Sequence, residues 1–165
     1  MDWQHHIATV IAETEKDFEH RHLISQNIAN GSEKIFNPHP AISVFNFHYA
    51  APPVAVSQNY HLNKVIGDNE TAFDGNSDST YPKEGWAFIF AGGALYNNLD
   101  YSFTVDHETG TFQYPPTQPG GGTKKLRRQL SYLQDFISSF DYLRMRPDST
   151  VLQNSPAAKK VHVLA

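Results

Sequence analysis

The chain has 165 residues, a net charge of −4 and no cysteine. The length supports one domain with a real core. The charge does not suggest a polyanionic partner such as nucleic acid, and without thiols neither disulfides nor thiolate metal sites can form. No run approaches the roughly 20 apolar residues of a membrane span. No secretory leader follows Met1, so the compartment stays open.

In chain order, Asp2 can cap a helix running to about Phe18, with Trp3, Ile7, Val10, Ile11 and Phe18 close to one face. Residues 22–27 read as a short strand, and 28–41, with Asn, Gly, Ser and Pro, as a loop. Residues 41–48 give the clearest strand, alternating β-branched and aromatic residues with polar ones. Pro52 and Pro53 open a short helix to about Tyr60. Val65 and Ile66 then start a strand that ends in Asp68, Asn69 and Glu70.

A helix starts near Pro82 and stops at Gly92 and Gly93. Residues 94–101 read as a fourth strand, and 102–122 as a loop closed by Pro119 and three glycines. A strong helix follows over 123–143, with Leu126, Leu130, Leu133, Ile137 and Phe140 as its packing stripe. The basic cluster at residues 124–128 lies at its start and reads as a solvated face.

Strands alternating with helices imply an α/β fold with four parallel strands and flanking helices. Such a sheet suits either a small open domain or half of an eight-stranded barrel, which typically needs about 250 residues. The chain starts in a helix and ends in an alternating run, 160–165, after a linker-like stretch at 146–158. This favours a partial (β/α)8 barrel over residues 1–147, with 148–165 as a linker and the first strand of a following domain. Such a half-barrel would self-associate through its exposed edges.

Ligand sites in parallel α/β folds lie at the carboxyl ends of the strands. Here those ends carry Gln26 and Asn27, His48 and Tyr49, Asp68 and Glu70, and Asp100 and Tyr101. Amides, an imidazole, phenols and carboxylates together suggest a pocket for a polyhydroxylated ligand. Gly120-Gly121-Gly122 follows a long loop, so it does not read as a phosphate loop, and Gly-x-Ser-x-Gly is absent. No cofactor is expected. His48, Asp68 and Glu70 offer a minority metal site. Carboxylate chemistry on a sugar makes Glu70 the candidate nucleophile. Asp68, two residues earlier, is expected on the same side of the strand, either joining the site or serving as a buried structural acid. A non-catalytic carbohydrate-binding module built on Tyr49, Trp86 and Tyr101 is the alternative.

Residues 64–103, through Gly-Asp-Asn-Glu-Thr-Ala-Phe and Ala-Gly-Gly-Ala-Leu-Tyr-Asn-Asn-Leu-Asp-Tyr, resemble the last two strands of cellulase-like glycoside hydrolase barrels carrying an appended β-sandwich. The resemblance implies that the chain covers strands five to eight, with Glu70 as the nucleophile ending the seventh. It also implies His48 and Tyr49 as rings beside that nucleophile, Tyr101 as an aromatic platform, and an acid/base glutamate that no residue here matches. A parent of this kind could be secreted or periplasmic.

Overall fold

A computed structural model describes residues 2–71, 73–75, 77–115, 121–153 and 161–165. The fold is α/β: a four-stranded, all-parallel sheet with helices packed on it. The helices are α1 (Asp2–Thr14), α2 (Val54–Asn59), α3 (Thr80–Phe90) and α4 (Lys124–Ser138). The strands are β1 (Ile24–Asn30), β2 (Ile42–His48), β3 (Val65–Glu70) and β4 (Leu95–Tyr96), and they lie in sequence order. Consecutive parallel strands laid down in one direction by right-handed crossovers place their connections on one face.

The ladder shows which side chains meet those connections. Phe45 pairs with Ile66, and Phe47 with Asp68, which in turn pairs with Tyr96. Phe45, Phe47 and Ile66 join Ala8, Ile28, Ile42, Ala55, Val56 and Phe88 in one apolar core. The alternate row crosses all four strands as Asn27, Asn46, Gly67 and Leu95, and it belongs to the opposite face. There Asn46 Nδ2 donates to Asn27 Oδ1 at 3.2 Å.

Several expected elements shift. β1 runs on to Asn30, three residues past the strand end expected at Asn27. α1 stops at Thr14 and turns Ala8 into the core, leaving Trp3, Ile7 and Val10 exposed. β4 has only two residues, because Asn98 leaves the ladder to donate to the carbonyls of Gly121 at 2.7 Å and Leu99 at 3.1 Å. Asp100 and Tyr101 therefore sit in a loop and not at a strand end.

α4 begins one residue after Thr123, whose hydroxyl accepts from the Leu126 N–H at 3.0 Å and donates to Asp78 at 2.5 Å. Of its expected stripe, Leu126 and Leu133 are buried, while Phe140 lies past the helix and is exposed. Trp86 packs against Phe90 and Phe136 in the seam between α3 and α4.

Gly120, residues 154–158 of the expected linker and Lys160 lie outside the described residues. Residues 161–165 fold back on 146–148, where Arg146 and Ala165 exchange backbone bonds of 2.9 and 3.0 Å. Pro147 and Leu164 form an antiparallel bridge. No helix among the described residues is long and apolar enough to cross a membrane.

At Gly67 the Asn46 and Leu95 side chains of the neighbouring strands close in on the backbone. A Cβ there would lie 2.9 Å from Asn46 Oδ1 and 3.1 Å from Leu95 Cδ2. Gly67→Ala should therefore lower unfolding free energy by roughly 1–3 kcal/mol, read as a lower urea midpoint at unchanged slope.

Candidate functional site at the carboxyl end of the sheet

β3 is not a regular strand at its end. After the Phe47–Asp68 pair the register skips, so His48 pairs with Glu70 and Asn69 has no partner in the ladder. One extra residue breaks the period-two alternation. Asp68 stays in the Phe47 row on the helix-covered face, while Glu70 joins the His48 row. The expectation that Asp68 and Glu70 share a side of the strand is thereby corrected.

Tyr49 holds Glu70 at two points. Its backbone N–H donates to the Glu70 carbonyl at 2.6 Å, and its phenol donates to the Glu70 carboxylate. Tyr49 is left-handed, with φ 55°, which is uncommon for a residue other than glycine. Burial, then the bond to Glu70 and that residue's charge, push the phenol up to about 12. It therefore remains a proton donor throughout the neutral range.

Rings surround this pair. Phe73 stands edge-on to Tyr49 with centroids 6.0 Å apart. The phenols of Tyr101 and Tyr81 lie close enough to raise Tyr49 further. Tyr101 is partly exposed and tilts against Tyr114 at 6.2 Å.

Asp68 has a different setting. It is 1% exposed, and its Oδ1 has no hydrogen-bond partner among the described residues. It lines a cavity of about 250 Å³ with Ala50, Pro52, Pro53, Glu84 and His162. Burial pushes its carboxyl up to about 7; backbone hydrogen bonding at Ala50 opposes the shift and the Glu84 charge adds to it. Glu84 is itself raised by burial and accepts a bond from the Thr71 hydroxyl. Burial lowers His162, which favours its neutral form.

The remaining candidates are dispersed. Gln26 is buried in the Phe45 row and donates to Gln4 of α1 at 2.9 Å. Asn27 lies on the opposite face beside Asn46, three residues before the end of β1. Asp100 pairs with Arg127 at 2.9 Å and accepts from the Ser102 N–H at 3.0 Å. The same guanidinium also covers the Phe103 ring at 5.1 Å. Asp100 thus anchors α4 to the loop after β4.

Among the described residues no three His, Asp or Glu side chains are placed to hold a metal ion, so His48, Asp68 and Glu70 do not assemble one. The structure brings Tyr49, Glu70 and Tyr101 together with Phe73 and the buried Tyr81, and pairs the His48 backbone with Glu70, while Glu84 belongs to the Asp68 cavity; sequence reasoning passed over Phe73, Tyr81 and Glu84. Phe73 had a legible signal, a lone aromatic inside a polar loop.

The chain matches no family model, no curated protein and no solved structure.

Asp68 is raised from 3.8 to about 7, so its stabilising contribution is complete below about 4 and is lost as pH rises towards 7. Asp68→Asn keeps the neutral shape. It should remove this slope and raise stability at pH 8 by roughly 2–4 kcal/mol, measured by urea unfolding at pH 4, 6 and 8.

Proposed function

We propose that Glu70 is the nucleophile of a retaining glycosidase site, and that the four strands are strands five to eight of a (β/α)8 barrel of the cellulase-like kind. The single observation behind this reading is the Tyr49 phenol bonded to the Glu70 carboxylate at the carboxyl end of the parallel sheet. A nucleophile must be ionised and aimed. A phenol that stays protonated to about 12 supplies one fixed donor to the carboxylate without competing for its charge.

In the first step a Glu70 oxygen attacks the anomeric carbon, and the bond to the leaving oxygen breaks through an oxocarbenium-like transition state. The leaving oxygen takes a proton from a second carboxyl group about 5–5.5 Å away. Water then cleaves the glycosyl ester, with that second group acting as base. The acids near Glu70 in sequence are otherwise engaged: Asp68 in the buried row, Glu84 by Thr71 and Asp100 by Arg127. The cellulase-like resemblance implies an acid/base glutamate on an earlier strand that no residue of this chain matches, and the isolated chain is expected not to turn over natural oligosaccharides.

A leaving group that needs no proton bypasses this gap. With 2,4-dinitrophenyl 2-deoxy-2-fluoro-cellobioside, the chain should gain the mass of one fluorosugar at Glu70, and Glu70→Gln should gain none. Tyr49→Phe should slow labelling by about 100-fold, because the carboxylate loses its fixed orientation. Absence of labelling in the unsubstituted chain, or labelling that persists in Glu70→Gln, would retire the proposal.

A second reading, a carbohydrate-binding module without catalysis, is favoured by the partly exposed Tyr101 ring beside the pair. Trp86, expected as a third binding ring, instead packs against Phe90 and Phe136, so glycan binding that survives Glu70→Gln and fails on replacing Tyr49 and Tyr101 would select it.

A further inference from the structure

We infer that Phe73 is a sugar-stacking platform, reading the flat C–H face of a pyranose seated beside Glu70. The inference rests on the glycosidase reading for the identity of the ligand, and on Phe73's own geometry for its role. The ring is 65% exposed, yet it lies edge-on to the Tyr49 ring, which carries the phenol bound to Glu70.

Its backbone adopts φ 58°, a left-handed conformation unfavourable for a bulky residue. Burial of the side chain does not offset that cost, because most of the ring faces solvent. The surrounding loop is held on both flanks. Before Phe73, Thr71 is buried and donates to Glu84. After it, Asp74 accepts from Thr80, and Gly75 accepts from the Tyr81 phenol at 2.7 Å. The Phe73 N–H itself bonds back to the Thr71 carbonyl at 3.1 Å.

A strained aromatic residue displayed outward on a pinned loop, next to a fixed carboxylate, has the geometry of a stacking surface. A solvent-exposed aromatic ring offers a C–H-accepting face to a sugar that reaches the neighbouring carboxylate. The chemistry favours a pyranose with equatorial hydroxyls, such as a gluco- or xylo-configured ring, whose faces are free of axial oxygens.

Cellotetraose binding by the full chain, followed by isothermal titration calorimetry, tests this. Phe73→Ala should weaken binding by about tenfold, and Phe73→Tyr should restore it. Phe73→Asn, which tolerates the left-handed backbone, should unfold at an equal or higher temperature while still losing affinity, which separates the loss from misfolding. Equal affinity in Phe73→Ala, or no binding by the unsubstituted chain, overturns the inference. Phe73-dependent binding without fluorosugar labelling at Glu70 keeps the platform and removes the glycosidase reading.

Discussion

The skipped residue in β3 governs the chemistry of this sheet. Without it, Asp68 and Glu70 would point the same way, two carboxylates in one environment. With it, one acid enters the helix-packed layer beside Phe47 and Tyr96, and the other meets Tyr49 at the rim. Desolvation raises the first, while a phenol orients the second. A single unpaired Asn69 thus turns one strand terminus into two sites of opposite character.

The sheet's order reinforces that division. Sequential parallel pairing sends the helices to the face that holds Phe45, Phe47 and Ile66. The other face keeps polar Asn27 and Asn46 above the gap that Gly67 leaves. The helix-covered side is thus mainly apolar and the opposite side more polar.

β2 and β3 were legible because β-branched and aromatic residues alternate there and turn residues bound them. α4 was legible through its leucine spacing, although its last turn ended earlier than the pattern suggested. β4 was misjudged in length, since its leucines and tyrosines look like strand until Asn98 bonds to loop carbonyls. In α1 the expected residues Trp3, Ile7 and Ile11 do line the groove against β1, but the small Ala8 makes the close, fully buried approach. The register skip has no compositional signature at all. The fate of Asp100 depends on Arg127, 27 positions away, which no local reading reaches.

The double hold of Tyr49 on residue 70 has a further consequence. Backbone and side chain of Glu70 are both tethered by Tyr49, the residue directly after β2, so the acid's orientation is set from the end of the neighbouring strand. The ordering that a ligand would otherwise have to impose is already present in the folded chain.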